Sequence, residues 1–249
     1  MASSQSHLPL RFISWNVKGI NNPVKRTRVF THLKSLRSDV VYLQETHLRS
    51  SEQIKLKKPW ISQIFSSKFE DRSRGVAILI RKGIPFIPLS TVADTRRRYI
   101  IIQGRLYGKQ VILANVYGPN WDDPNFYCTF LKHLPDLTES HLILGGDFNC
   151  VLNPQLDRSN PKPDSKISKA GNVLKSFMQS YAFFDPWRDK NPASKQFSFF
   201  SPVHRSYSRI DFFVVDNRIL PKVLDCQYNS IVISDHSPVQ LDVNFYERC

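Results

Sequence analysis

The chain has 249 residues, of which 41% are hydrophobic and 12% aromatic, so it is long enough to bury one large α/β core. Its 35 Lys and Arg residues outweigh 21 Asp and Glu residues, and the formal net charge of +14 predicts a polyanionic partner, nucleic acid in particular. No apolar run approaches the roughly 20 residues of a membrane span, which disfavours a membrane partner.

In chain order, the apolar pattern predicts more strands than helices. Strands are expected at residues 11–17, 40–45, 75–80, 99–106, 111–116, 141–144, 197–201, 209–215 and 239–245. Helices are expected from residue 23, from 124 towards 134, and around 170–181, with a polar loop at 153–165. Several neighbouring strands look like antiparallel hairpins, which favours two packed sheets with helices outside over an alternating βαβ wheel.

The chain shows no linker-like stretch and no break in composition. This predicts one domain over residues 10–247, preceded by a disordered segment at 1–9. The four cysteines lack a pairing pattern and the first residues lack the features of a secretory signal, so an intracellular protein is expected.

The apolar run at 141–144 ends in Gly145, Gly146, Asp147, Phe148 and Asn149. Side chains alternate faces along a strand, so Asp147 and Asn149 point the same way if the extended geometry persists. The two glycines would let another backbone or a phosphate come close. An ordinary strand-ending turn is the equally good alternative for this sequence.

Other polar residues interrupt strands in the same manner. Asn16 ends the first strand, where a turn is the simpler explanation, and Glu45 ends the second, where it needs Mg²⁺ or a salt bridge. Tyr117 precedes a Gly-Pro turn, where it either contacts a phosphate or packs with its hydroxyl exposed.

The last part of the chain adds an acid and a histidine. Asp211 lies inside an apolar strand and requires a partner, because an unpaired buried charge is costly. His236, between Asp235 and a Ser-Pro turn, is the candidate, since a buried carboxylate orients an imidazole. Acids for a hard cation, amides for phosphate oxygens and an Asp-His pair together indicate a metal-assisted phosphodiester hydrolase.

These segments, in this order, resemble the endonuclease/exonuclease/phosphatase superfamily, which includes deoxyribonuclease I and the apurinic/apyrimidinic endonucleases. The sequences ISWNVKGIN (13–21), LQETH (43–47), VYGPN (116–120) and GGDFN (145–149) are most similar to the endonuclease domain of the second open reading frame protein of LINE-type (non-LTR) retrotransposons. Residues 156–159 and 197–211 agree with it. The resemblance implies an α/β fold, a four-layered α/β sandwich of two packed mixed β-sheets flanked by helices.

The resemblance also implies roles for individual residues. The implied catalytic residues are Asp147, Asn149, His236, Asp211, Tyr117 and Asn16. The implied ligands of Mg²⁺, with Mn²⁺ as an alternative, are Glu45, Asn16 and Asp235. The implied DNA-contacting residues are Arg158, Ser198, His204, Arg205, Tyr207, Ser208, Ile210 and Ser234.

The implied activity is the nicking of one strand of duplex DNA at T/A-rich sites, which leaves a 3′-hydroxyl as primer. The implied partners are double-stranded DNA, the reverse transcriptase portion of the same polyprotein and the element RNA, with the isolated domain monomeric. Action in the nucleus would follow import from a cytoplasmic ribonucleoprotein. The alternatives are an abasic-site repair endonuclease, a phosphatase or sphingomyelinase relative, and a DNA-binding module without activity.

Overall fold

The computed structural model describes residues 8–67 and 74–245. Most of the segment predicted to be disordered, residues 1–7, lies outside the described residues, as do the last two residues of the predicted domain, 246 and 247. Within the described part of the chain, none of the helices has both the length and the apolar character needed to cross a membrane.

The strands and helices alternate irregularly along the chain. The strands are β1 (Leu10–Asn16), β2 (Val40–Gln44), β3 (Ile61–Ser66), β4 (Ala77–Arg81), β5 (Phe86–Ala93), β6 (Tyr99–Leu106), β7 (Lys109–Tyr117), β8 (His141–Asp147), β9 (Phe183–Phe184), β10 (Phe199–Ser201), β11 (Ser206–Ser208), β12 (Asp211–Asp216), β13 (Val223–Tyr228) and β14 (Val239–Val243). The α-helices are α1 (Pro23–Ser35), α2 (Pro124–Lys132), α3 (Lys169–Ser180) and α4 (Pro186–Lys190). Short 3₁₀ helices occupy Ser50–Leu56 and Leu220–Lys222.

Two six-stranded mixed sheets form the body of the molecule. The first has the strand order β13-β14-β1-β2-β4-β3, and the second has the order β5-β6-β7-β8-β12-β9. Each sheet contains one parallel pair, β1 with β2 and β7 with β8, and its other pairs are antiparallel. The prediction of two packed mixed sheets is therefore confirmed.

The apolar side chains form three layers of core. Residues such as Phe12 and Tyr42 face the space between the sheets, and the Tyr42 hydroxyl crosses it to donate to the carbonyl of Ile143 at 2.9 Å. Their neighbours Ile13 and Val41 point to the opposite face and pack with the buried side of α1, as strand alternation requires. The outer face of the second sheet packs against α2 and α3. The order helix, sheet, sheet, helix is the predicted four-layered sandwich.

The helices α1 and α2 begin at the predicted residues 23 and 124. Asn22 and Asp123 cap α1 and α2 by accepting backbone N–H bonds, and a proline occupies the first helical position in both. The helix α4 begins in the same way after Asp185 but was not predicted. Five strands, β3, β5, β9, β11 and β13, were also not predicted. Four of them, β3, β5, β9 and β13, lie at the outer edges of the two six-stranded sheets, and β11 belongs to the separate pair β10-β11.

Candidate active site

Strand ends from both sheets meet at one rim. Asn16 ends β1, Glu45 follows β2, and Asp147 ends β8 of the other sheet. The buried Asn16 amide Nδ2 donates to Glu45 Oε1 and to Asp147 Oδ2, both at 2.8 Å. This carboxamide therefore connects the two sheets at the point where their acids face each other.

Glu45 is held as an ionised carboxylate. Burial acts to raise its pKa, but hydrogen bonds from His47, Asn16 and Tyr117 outweigh burial and lower the pKa to about 2. His47 Nε2 lies 3.1 Å from Glu45 Oε2, and the Tyr117 hydroxyl also donates to Asn120 Oδ1 at 3.1 Å. His47 belongs to the LQETH segment, but sequence reasoning did not select it.

Asp147 occupies a more apolar and more crowded place. It is 1% exposed and lies directly opposite Asp211 in the register of β8 and β12. Burial and the charge of Asp211 raise the pKa of Asp147 to about 7, against the opposing effects of His236 and of hydrogen bonds from Asn16 and Asn149. Near neutral pH its carboxyl group can therefore both accept and release a proton.

Asp211 and His236 form the predicted pair. His236 Nδ1 lies 2.8 Å from Asp211 Oδ2, and Nε2 faces Asp147 Oδ2 at 3.9 Å. Burial lowers the pKa of His236, but the charges of Asp211 and Asp147 outweigh it and raise the pKa to about 9. The ring is tilted by 34° to that of Phe199, with centroids 4.6 Å apart, and is thus an oriented imidazolium at neutral pH.

Asn149 reaches the site by a route other than the expected one. The strand ends at Asp147, and Asn149 has φ 49, so strand alternation does not orient its side chain. Its backbone N–H instead donates to Asp147 Oδ1 at 2.9 Å, and its Nδ2 donates to the Gly118 carbonyl at 2.9 Å. The Nδ2 atom still lies 3.5 Å from Asp147 Oδ2, so the two side chains do meet.

Of the two expectations for the glycines before Asp147, the close approach of another backbone is confirmed. A Cβ on Gly146, whose φ is 155, would overlap the carbonyl oxygen of Val116 on the neighbouring strand. A Cβ on Gly145 would come within 2.6 Å of the Phe213 ring. The glycines allow the strands and rings of the core to approach one another.

Asp235 lies near the cluster but is not free. Its Oδ2 is 2.6 Å from Lys18 Nζ, and the backbone N–H of Lys18 donates to Asn16 Oδ1 at 3.0 Å. Of the residues implied to bind a metal, Glu45 and Asn16 are thus in direct contact, whereas Asp235 is held through Lys18.

Two groups of donor atoms could hold a divalent cation. Asp147, Asp211 and His236 each offer one atom within 4.8 Å of the others, but both Asp211 oxygens already bind His236. Glu45 is ionised, with its side chain 20% exposed, and stands beside the Asn16 carboxamide. Hard oxygen donors open to solvent suit Mg²⁺, so the Glu45 side of the cluster fits it better.

Most of the residues implied to contact DNA lie together, whereas Ser198 is buried and Ser234 lies elsewhere. Most surround the hairpin of β10 and β11, which stands apart from both sheets beside a cavity of about 370 Å³. The cavity is lined by members of that set, namely Arg158, His204, Tyr207, Ser208 and Ile210. Arg205 is exposed at the turn of the hairpin, and Ser234 contacts Asp235 at 3.3 Å.

Ser198 corrects the predicted DNA-contacting set. It is fully buried, and its hydroxyl donates to Asp211 Oδ2 at 2.6 Å while it accepts the backbone N–H groups of Ile210 and Asp211. A side chain so enclosed cannot contact DNA. Its hydroxyl instead holds the carboxylate that orients His236.

A buried ionic network lies directly before Asp211 and was missed from the sequence. Arg209, 1% exposed, donates from Nε to Asp157 Oδ1 at 2.7 Å and from Nη1 to Asp185 Oδ2. Arg188 reaches the same Asp157 oxygen at 2.7 Å. The position of Arg209, two residues before the candidate Asp211, could have drawn attention to it. Its partners Asp157 and Asp185 are remote in sequence, so the pairing itself was not predictable.

Comparisons with known proteins agree with this geometry. Residues 13–236 match the model of the Endonuclease/Exonuclease/phosphatase family. The Transposon TX1 uncharacterized 149 kDa protein of Xenopus laevis is 26% identical over 94% of this chain, which spans only 18% of that protein. The exodeoxyribonuclease of Bacillus subtilis (strain 168) is 24% identical over 94% of this chain and 100% of its own length.

The fold has a solved counterpart. The AP endonuclease LMAP of Leishmania major superposes with a TM-score of 0.76 at 19% identity, over 96% of this chain and 89% of that one. This likeness shows that the two-sheet architecture is shared. The sequence match over residues 13–236 establishes that the chain belongs to the Endonuclease/Exonuclease/phosphatase family.

Proposed function

We propose that this protein is a divalent-metal-dependent endonuclease that nicks one strand of duplex DNA. The observation that carries the proposal is the convergence of Glu45 and Asn16 with the Asp147, Asp211 and His236 cluster at one rim of the sandwich. A formal net charge of +14 favours a long polyanion over a small phosphate ester as substrate.

The nick serves retrotransposon integration at T/A-rich sites. Similarity to a transposon protein, of which this chain matches only 18%, supports a place within a larger polyprotein. A reverse transcriptase portion of that polyprotein would then extend the 3′-hydroxyl using the element RNA as template. Such a role places the protein in a cytoplasmic ribonucleoprotein and afterwards in the nucleus.

The residues have distinct parts in the reaction. Mg²⁺ or Mn²⁺, held by Glu45 and Asn16, would supply positive charge for the phosphate oxygens. Asp147 takes a proton from the water that attacks phosphorus, while the bond from phosphorus to O3′ breaks. The O3′ oxygen leaves and takes up a proton from solvent, which gives a 3′-hydroxyl and a 5′-phosphate.

The remaining groups stabilise the charge that develops on the phosphate. His236, oriented by Asp211, donates a hydrogen bond from Nε2 to a phosphate oxygen, and its positive charge is retained at neutral pH. The Asn149 amide, which already lies beside Asp147, holds a second phosphate oxygen. Tyr117 lies at the edge of this group through its contact with Asn120.

A supercoiled plasmid tests the proposal. We expect Mg²⁺-dependent conversion to open circles, loss of this conversion in EDTA and in the variants Glu45→Ala and His236→Ala, and extension of the nicked product by a reverse transcriptase without further processing. Nicking that continues unchanged in either variant would overturn the mechanism. A product that cannot be extended would overturn the assignment of the 3′-hydroxyl.

Abasic-site cleavage is the second candidate function, favoured by the structural similarity to an AP endonuclease. A synthetic duplex with one abasic position, compared with the same duplex intact, separates the two candidates. Much faster cutting of the abasic duplex would replace retrotransposon nicking by repair as the assigned function.

A further inference from the structure

A buried cation lies beneath the tyrosine of the site. The Arg98 side chain, 5% exposed, donates from Nη1 to the carbonyl oxygens of Gly118 at 2.9 Å and Tyr117 at 3.4 Å. Among the described residues, no carboxylate lies within ion-pair distance of its guanidinium, and Asp94 accepts only the backbone N–H of Arg98. Among the described residues this guanidinium therefore has no ion-pair partner.

The guanidinium lies over two aromatic rings. Its Cζ lies 5.2 Å from the centroid of the Tyr117 ring and 5.3 Å from that of the Trp121 ring. Tyr117 is buried, whereas Trp121 is 60% exposed. One side of the indole is thus supported by Arg98 while much of its surface faces solvent. The exposed part of the indole is available to stack with a planar ligand.

A cavity of about 740 Å³ opens beside this stack. Its lining includes Trp121 and the three arginines Arg74, Arg96 and Arg98. Two acids also line it, but the side chain of Asp123 caps α2 and that of Asp94 binds backbone, so both carboxylates are engaged. The volume lies within the ~300–1,000 Å³ of sites for small ligands, which is enough for a nucleotide.

We propose that Trp121 and the arginines beside it bind one unstacked nucleotide of the DNA strand next to the scissile phosphate. The inference rests on the proposed nuclease function and specifies its substrate. The base stacks on the exposed surface of Trp121, and its phosphate faces Arg98 and Arg74. Charge complementarity and an aromatic platform are the two features that recognise single-stranded nucleic acid irrespective of base identity.

This subsite selects DNA by how readily a nucleotide unstacks and leaves the duplex. A base inside an intact duplex has both faces covered by its neighbours, so the nucleotide that stacks on Trp121 must first leave the helix. Pyrimidine–purine steps are flexible and unstack more easily than other steps. The subsite therefore favours T/A-rich junctions without hydrogen bonds to base edges. Burial and the nearby charge of Arg74 lower the pKa of Arg98, and they outweigh the opposing effect of Asp94.

Binding is tested in EDTA, so that cleavage does not interfere. A 2-aminopurine base is placed in turn at each position of a T/A-rich duplex, and its fluorescence is followed as protein is added. We expect a stacking-dependent change at one position, which is lost in Trp121→Ala and retained in Trp121→Phe. Tyr181→Ala is the matched control, because Tyr181 is 54% exposed at the end of α3 and does not line this cavity.

Cleavage supplies the second measurement. Duplexes with one mismatched nucleotide at that position should be cut faster than fully paired ones, and Trp121→Ala should reduce this preference roughly 5- to 100-fold. Nicking by Trp121→Ala with the wild-type preference, or an unchanged 2-aminopurine signal, would overturn the subsite. A Trp121-dependent signal with no cutting of any DNA would instead overturn the proposed function and leave the subsite standing.

Discussion

Replacing Arg209 by Leu tests the buried network that supports the active-site strand. Removal of one partner from a buried ion pair costs about 3–5 kcal/mol, because the other charge is left without compensation. Here Arg188 remains 2.7 Å from Asp157 Oδ1, so only Asp185 loses its ion pair. We therefore expect R209L to lower the free energy of unfolding by about 3 kcal/mol, the lower end of this range.

Urea unfolding in EDTA, followed by tryptophan fluorescence, measures this loss without any contribution from a bound metal. R81L is the matched control, because the Arg81 side chain is 48% exposed and its contact with Asp39 is 3.2 Å, so we expect a loss below about 1 kcal/mol. Adding D185N to R209L removes the stranded charge and should restore part of the stability. A loss in R209L no larger than that in R81L would refute the reasoning.

Three further substitutions address the site itself. Glu45→Gln removes the ionised carboxylate, so we expect Mn²⁺ affinity, measured by calorimetry without DNA, to fall at least about tenfold; an unchanged affinity would place the metal elsewhere. In Asp211→Asn, burial still lowers the pKa of His236 but the charge that most raises it towards about 9 is gone. The imidazolium then loses its proton at a lower pH, so the pH above which the nicking rate declines should also be lower. A nicking rate that declines at the same pH as in the wild type would contradict this. Gly146→Ala drives a Cβ into the Val116 carbonyl oxygen, and we expect unfolding free energy to drop by about 3 kcal/mol, whereas a drop below about 1 kcal/mol would show that the strands can move apart.

The predictable part of the fold was the part that is buried on both faces. Strands such as β2 and β8 are apolar runs, and their positions were correct. Among the missed strands, β3, β5, β9 and β13 are the outer strands of the two six-stranded sheets, where one side pairs with no described neighbour, and β11 is a three-residue strand of the separate hairpin. In β5, every residue after Phe86 is exposed and Pro88 interrupts the pattern, so neither alternation nor propensity indicated a strand.

The candidate site was predictable for a related reason. Asn16, Glu45, Asp147 and Asp211 are polar residues in or directly after buried strands, and such residues stand out against their apolar neighbours. Contacts between segments that are remote in sequence leave no comparable pattern of a polar residue among apolar neighbours. Arg209 and Asp157 are separated by 52 residues, and only the folded chain shows that they bind.

The order in which the strands pair has a consequence for how the protein is made. His236 lies in the segment before β14, and β14 pairs with β1, the strand that carries Asn16. The first and last of the described strands thus lie side by side, and the candidate active site contains residues at or near the ends of both. A ribosome that stops before residue 236 releases a chain without the imidazole and with the flank of β1 uncovered. A chain that ends before residue 236 therefore lacks part of the candidate active site and the strand that covers β1.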